Sequence, residues 1–314
     1  MRFGLQIYSF TWPGGPEAIG PTLARSVRAA DDVGFDSLWV MDHFWQIGGA
    51  GSEHEPMLEG WTTLGFMAAN SRRARLGLMV GGVHYRNPGL WVKAATTLDV
   101  LSGGRAWLGI GAAWNQAESE GLGFPWPSQR ARFEMLEDTL QIAHGMWQGE
   151  RGSEEDFQGR QFHASRLLNV PQSISRPRVP ILIGGGGEKK TLRLVAQYAD
   201  ASNMFGGPEQ LLPKYAILAE HCAAVGRDFD EIERSNMQAV SLTRPGAWGS
   251  QPQSPGEIVE RLGRLAEAGV QHVILSMAES DDPAAIEILG RDVLPQLRSV
   301  EAADPRIVGS AAGL

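Results

Sequence analysis

The stretch Val179-Pro180-Ile181-Leu182-Ile183-Gly184-Gly185-Gly186-Gly187-Glu188-Lys189-Lys190-Thr191 runs apolar, breaks into four glycines and resumes as a helical pattern. It reads as a buried strand, a length of bare backbone and a helix. Glycine lets the chain turn at positive φ and lets main-chain N–H groups meet a ligand with no Cβ between them. The following helix adds N–H groups without partners and the positive end of its dipole. The combination is an anion site, most simply a phosphate site; the plainer reading is a glycine-rich turn. The dinucleotide fingerprint G-x-G-x-x-G and the nucleotide loop G-x-x-x-x-G-K-[ST] both demand glycine where Lys189 stands, so neither motif applies.

Outward from this stretch the same rhythm repeats. Toward the N-terminus, strands are expected at Phe3 to Tyr8, Ser37 to Met41, Leu76 to Val80 and Arg105 to Ile110. Toward the C-terminus they are expected at Ala199 to Met204, Ser235 to Thr243 and Val270 to Leu275. Helices alternate with them, among them Trp61 to Ser71, Arg130 to Trp147 and Pro208 to Val225. Asn87-Pro88 and the capping box Ser254-Pro255-Gly256-Glu257 mark two helix starts, and a last helix runs from Asp282-Pro283 to about Leu297. Eight strand–helix alternations predict an α/β chain folded as a single (β/α)8 TIM barrel, with a doubly wound open sheet as the alternative. One domain over residues 1–314 is expected, with an insertion of about 148–178 before strand five that carries a small hairpin or lid, and a C-terminal tail of about 299–314.

The chain has 314 residues, 43% of them hydrophobic, a net charge of −8 and a pI near 5.4. No basic excess is available to displace counterions from nucleic acid or to meet anionic lipid. Cys222 is the only cysteine, which excludes an intrachain disulfide and a thiolate metal cluster. Neither a leader-like apolar segment nor a run of eighteen apolar residues is visible, so a cytoplasmic protein with no membrane partner is expected. Glu53-His54-Glu55 has the residue types of a metal site, but adjacent side chains of an extended loop point different ways, and no metal is expected.

In either fold, function belongs at the strand C-termini. The sequence places Asp42-His43, Gly81-Gly82, Ala112 to Asn115, the four glycines and Asn203 there. His43 suits proton transfer near neutrality, the alternative being a histidine satisfied by a neighbouring loop; Asp42 either acts directly or orients His43 or its loop. Asn115 either meets a ligand edge or caps the next segment, and Asn203 either meets the phosphate or is a turn asparagine. His84 and Tyr85 are pocket candidates.

Asp42-His43, Met79-Val80-Gly81-Gly82-Val83-His84-Tyr85-Arg86-Asn87-Pro88, Leu108-Gly109-Ile110-Gly111-Ala112-Ala113-Trp114 and Pro180 to Gly187 together resemble the bacterial-luciferase-like monooxygenase superfamily, most closely its coenzyme F420-dependent oxidoreductase branch. The resemblance covers roughly residues 1–298. It implies a (β/α)8 barrel with a deazaflavin ring across its mouth, commonly in a homodimer. Asp42 and His43 would lie near the reactive ring, Met79 to Gly81 would form a bulge behind it, Ala112, Ala113 and Asn115 would line its edge, and Gly184, Gly185, Gly186 and Gly187 would hold the phosphate. Hydride transfer at the deazaflavin C5 is the implied chemistry. F420-dependent sugar-phosphate dehydrogenases carry an acidic residue where Trp114 stands, and Trp45 and Trp114 point instead to a small apolar or aromatic substrate. The alternatives are an FMN-dependent monooxygenase served by a separate reductase, and a non-catalytic flavin- or deazaflavin-binding protein.

Overall fold

The computed structural model describes residues 1–307. Residues 308–314, the end of the expected tail, lie outside the described residues. Eight parallel strands form the barrel: β1 (Arg2–Ile7), β2 (Ser37–Val40), β3 (Arg75–Leu78), β4 (Ala106–Gly111), β5 (Ile181–Gly184), β6 (Ala201–Met204), β7 (Glu233–Val240) and β8 (His272–Met277). Each pairs with its sequence neighbours, and β8 closes on β1 with Phe3 opposite Val273 and Leu5 opposite Leu275. β2, β4 and β5 are buried on both faces and so read as apolar runs rather than alternations, whereas β6 and β7 carry polar residues such as Asn203 and Asn236.

Around them lie α1 (Pro16–Val33), α2 (Gly60–Asn70), α3 (Pro88–Ser102), α4 (Gln116–Gly121), α5 (Gln129–Met146), α6 (Thr191–Tyr198), α7 (Pro208–Val225), α8 (Pro255–Glu267), α9 (Pro283–Asp292) and α10 (Leu294–Arg298). The two expected starts form as written: the Asn87 side chain accepts from the Gly89 N–H at 2.9 Å, and Ser254 and Glu257 close a reciprocal capping box. The single last helix expected to Leu297 instead breaks at Val293, because Pro295 supplies no N–H to the turn behind it and its ring crowds the preceding carbonyl.

The barrel interior is built on two indoles. Trp39 and Trp107 pack edge to face at 6.3 Å, with Leu182, Ala201 and Ile274 around them. A Cβ on Gly77 would fall 2.5 Å from the Trp39 ring, so this glycine makes the room the indole fills. Below, at the N-terminal ends of the strands, Trp39 donates to Ser37 Oγ at 2.7 Å, Ser37 meets His272 Nε2 at 2.9 Å and His272 Nδ1 meets Glu233. The core is plugged at that end, which leaves the opposite end to hold a ligand.

Between α5 and β5 the insertion does form a hairpin: Gly152–Ser153 pairs with Leu167–Leu168, and Phe157–Gln158 with His163–Ala164. Asp138 of α5 accepts the N–H groups of Arg160, Gln161 and Phe162, and Asp99 near the end of α3 accepts those of Ile174 and Ser175. These carboxylates bind the insertion to the outer wall, and none of its residues lines the mouth of the barrel.

Candidate active site

At the mouth, β3 does not run straight into its loop. Gly77 is opposite Trp107 while Gly81 is opposite Ile110, so four residues on one strand face three on the other. The extra residue is a bulge at Leu78 to Val80, and it contains the cis peptide Met79–Val80. Val80 fills the space that small residues leave: a Cβ on Gly184 would fall 2.7 Å from Val80 Cγ2. The bulge thereby forms the floor of a cavity of about 470 Å³, a volume suited to a cofactor-sized ligand.

The cavity walls come from several strand ends. Met79, Val80, Gly81, Ala112, Ala113, Asn115, Gly184, Gly185 and Asn203 line it, as do Asp42 and His43. Among the described residues only Ala113 (φ 61) and Trp248 (φ 54) are non-glycine residues with positive φ, and both face this cavity. Such conformations cost about 1–3 kcal/mol and gather where a site imposes them. Trp114, Phe205 and Trp248 stand 63%, 64% and 42% exposed and form an aromatic collar on the rim.

The glycine loop leaves a run of main-chain N–H groups without protein partners. Gly185 turns at φ 114 and donates to Asn203 O at 2.9 Å. Among the described residues, no hydrogen bond engages the backbone N–H groups of Gly186, Gly187, Glu188, Lys189, Lys190 or Thr191. Helix α6 starts at Thr191, with Lys189 and Lys190 preceding it. Glu188 pairs with Lys214 at 2.5 Å, and Lys190 lies over the Phe133 ring at 5.1 Å. Gly184 and Gly185 face the cavity, whereas Gly186 and Gly187 are outside its lining and carry the free N–H row outward from its edge.

His43 is held from behind. Its Nδ1 is 2.8 Å from Glu118 Oε2. Glu118 is fully buried, and its carboxylate also accepts from the Tyr85 hydroxyl at 2.5 Å, from the Trp45 N–H at 2.8 Å and from the Phe44 N–H. Burial alone would push the Glu118 carboxyl up, yet the imidazole, the phenol and the loop N–H groups hold it below its ordinary value. Burial and the Glu118 carboxylate push the Tyr85 phenol well above its own. Trp114 packs edge-on against His43 with ring centroids 5.5 Å apart.

Asp42 is 2% exposed and faces Arg86, whose guanidinium reaches both of its oxygens at 2.8 Å and Glu59 at 2.6 Å. Burial pushes the Asp42 carboxyl up and the Arg86 fork pulls against it. Asn115 caps α4, accepting from the Glu118 N–H at 3.3 Å, and Asn203 turns its amide to Ser235 Oγ at 3.0 Å.

Two pocket assignments fail. His84 is 7% exposed and outside the cavity lining; its Nε2 lies 2.7 Å from Ser119 Oγ, and burial and Arg132 lower its pKa to about 4. It sits in a 3-10 turn that aims it at the buried face of α4. Trp45 is outside the mouth lining and faces an adjoining cavity that shares Ile47, Trp114 and Asn115 with it, because its ring packs on Gly121, where a Cβ would fall 2.2 Å from it. Glu53 and His54 are exposed, Glu55 is half-buried and accepts from the Thr11 hydroxyl at 2.8 Å, and among the described residues no group of three such side chains is placed to hold a metal ion.

The sequence reading missed Glu118, Arg86, Phe205 and Trp248. Glu118 stands three residues after Asn115, where glutamate reads as an ordinary member of a helix's first turn, and only tertiary packing turns its carboxylate inward. Phe205 directly follows β6, so its place at a strand end was a usable signal.

Known proteins share this architecture. An F420-dependent glucose-6-phosphate dehydrogenase of Nakamurella multipartita is 26% identical over 93% of this chain and 97% of its own, and one of Intrasporangium calvum is 27% identical over 92% and 98%. Among solved structures, an F420-dependent secondary alcohol dehydrogenase in complex with an F420–acetone adduct superposes with a TM-score of 0.78 at 18% identity, covering 95% of this chain and 99% of that one. The EDTA monooxygenase of Chelativorans sp. superposes with a TM-score of 0.80 at 13% identity, covering 97% and 95%. The family model described as luciferase-like monooxygenase matches residues 1–244, and the chain belongs to that family.

Proposed function

We propose that this protein is a coenzyme F420-dependent oxidoreductase of the cytosol that moves a hydride between C5 of the deazaflavin and a small, apolar or aromatic organic substrate. The observation that carries the reading is the row of free N–H groups from Gly186 to Thr191 beside an apolar, bulge-floored cavity. The row fits a phosphate, and the cavity fits a flat ring. Relatives named as F420-dependent enzymes match nearly the whole chain and support this cofactor. When bound, the deazaflavin supplies a carbon that accepts or gives two electrons as hydride.

The chain's own residues would bind, orient and exclude water. Val80 and Met79 would support the ring from below, Ala112 and Ala113 would let it approach their backbone, and His43 would handle a proton at the substrate. Trp114, Phe205 and Trp248 give the substrate side apolar faces rather than charge, which favours an apolar partner over a sugar phosphate. We infer a homodimer from the family resemblance; light scattering checks it.

A second reading, an FMN-dependent monooxygenase served by a separate reductase, draws support from the fold match to the EDTA monooxygenase. A non-catalytic flavin or deazaflavin binder is the third. Titration with F420 and with FMN, followed by fluorescence, separates them. Saturable F420 binding with negligible FMN binding supports the proposal; tight FMN binding without response to F420 overturns it. Cofactor binding with no turnover of any substrate favours the third reading.

A further inference from the structure

A second cavity, of about 320 Å³, lies beyond the glycine loop and shares no residue with the barrel mouth. Its charged lining comes from three elements. Arg130 stands in the first turn of α5, Lys190 and Arg193 stand at the start of α6, and Arg160 comes from the turn of the insertion hairpin. Phe133 and Leu194 are in its wall.

Four cations here face two carboxylates. Both carboxylates are already paired, Glu134 with Arg130 at 2.9 Å and Glu137 with Arg193 at 3.2 Å. Lys190 instead holds its ammonium over the Phe133 ring at 5.1 Å, and Arg160 is fixed through its main-chain N–H, which donates to Asp138 at 3.2 Å. Among the described residues neither has a carboxylate within ion-pair distance. On a chain of net charge −8 this is a local positive excess, gathered in a concave site rather than spread over a solvated face.

The position of the cavity gives that excess a meaning. Thr191 lines the mouth and Lys190, the residue before it, lines the outer cavity, so the free N–H row from Gly186 to Thr191 runs between the two. A phosphate on that row has one ester arm toward the mouth. FMN is a monoester and ends there. F420 is a diester, and its second arm, a lactyl group followed by γ-linked glutamates, carries a carboxylate on every glutamate.

We propose that the outer cavity is the seat of this oligoglutamyl arm, that Arg160 and Lys190 meet its carboxylates, and that the insertion hairpin serves to hold Arg160 in place for it. The inference rests on the F420 reading above. The Arg160 guanidinium offers a planar fork suited to a carboxylate, and the Lys190 ammonium offers a point charge beside the phosphate row. Each contact at so open a site adds little by itself, so the arm gains affinity by engaging several in sequence, and salt weakens all of them. None of these side chains lines the mouth, so the arm acts on cofactor affinity and leaves the substrate side unchanged. FMN has no group to place here, and the cavity therefore selects between two cofactors with similar rings.

The test reads binding alone, by fluorescence titration of the full chain with F420 carrying no glutamate and with F420 carrying five. Wild type is expected to bind the tailed form at least about fivefold more tightly at low salt, with the ratio falling toward one at about 0.5 M NaCl. Arg160→Gln changes an exposed side chain and is expected to cut the ratio to about twofold or less, with affinity for the tailless form within twofold of wild type. Arg264→Gln, which removes an exposed arginine of α8 outside this cavity, is expected to keep the full ratio. Equal affinity for the two forms in wild type overturns the proposal. A ratio that survives Arg160→Gln, or that falls equally in Arg264→Gln, removes the arm from this cavity. Binding of neither form overturns the F420 reading and this inference with it, an outcome distinct from tight binding of the tailless form without a tail effect.

Discussion

Arg86 grips Asp42 at two points, each guanidinium nitrogen 2.8 Å from one carboxylate oxygen, and lies over the Trp91 ring at 4.6 Å. A pair this dry is a strut. Removing one partner strands the other charge, which typically costs about 3–5 kcal/mol. Arg86→Leu should therefore lower unfolding free energy by roughly that amount in urea titration. Arg86→Lys should recover little, because a single ammonium cannot reproduce the fork. Asp42→Asn should leave F420 affinity within about threefold if the carboxylate acts through position; a collapse of kcat with wild-type stability would return Asp42 to direct chemistry.

The glycine cradle is best tested at Gly186. Gly185 sits at φ 114, and a Cβ on Gly187 would fall 2.8 Å from Thr191 Oγ1, so substitutions at either would disturb the loop for reasons unrelated to a ligand. A Cβ on Gly186 meets Met204 at 3.6 Å and the Lys214 Cε at 4.0 Å, both ordinary van der Waals distances. Gly186→Val should lower F420 affinity at least tenfold while shifting unfolding free energy by under about 1 kcal/mol. Equal affinity in fluorescence titration would remove the phosphate from this loop.

What the sequence made legible follows from the range of the interactions involved. Strand order, the helix starts at Pro88 and Pro255 and the strand–glycine–helix passage at Gly184 to Thr191 are local patterns, written in neighbouring residues. The bulge at Met79 was reached only through family resemblance, since a one-residue register difference has no local signature. His84 and Trp45 went wrong for a related reason. Both follow strand ends, but which face of a loop side chain meets the cavity is set by packing, on Ser119 for one and on Gly121 for the other. Glu118 was invisible because its carboxylate is held by four partners, all of them more than thirty residues away in sequence.

The structural role of His84 has a pH signature. Its imidazole titrates near 6.5 when exposed and near 4 when buried. Above 6.5 neither state is charged and the group adds nothing; as pH falls from 6.5 to 4, the unfolded chain takes the proton and stability drops by up to roughly 3 kcal/mol. His84→Gln can still donate to Ser119 but does not titrate. Urea unfolding between pH 7.5 and 4.5 should show a shallower acid loss in this variant, with unchanged F420 affinity. An equally steep loss would assign the proton uptake to another group.

Trp248 joins two loops over the mouth. Its N–H donates to Gly49 O at 2.7 Å, its ring lies 5.6 Å from Tyr8, and its backbone holds φ 54. The glycine cradle lies on another wall, after β5, so the indole belongs on the substrate side if the ring of the cofactor spans between them. Loss of a large apolar face is worth about 1.5–3 kcal/mol, which predicts that Trp248→Ala raises substrate KM roughly ten- to a hundredfold while F420 affinity stays within threefold. Trp248→Gly should lose the same binding but be more stable than the alanine variant, because glycine relieves the positive φ. Weakened F420 binding with an unchanged KM would move the indole to the cofactor side of the cavity and leave Phe205 and Trp114 as the substrate wall.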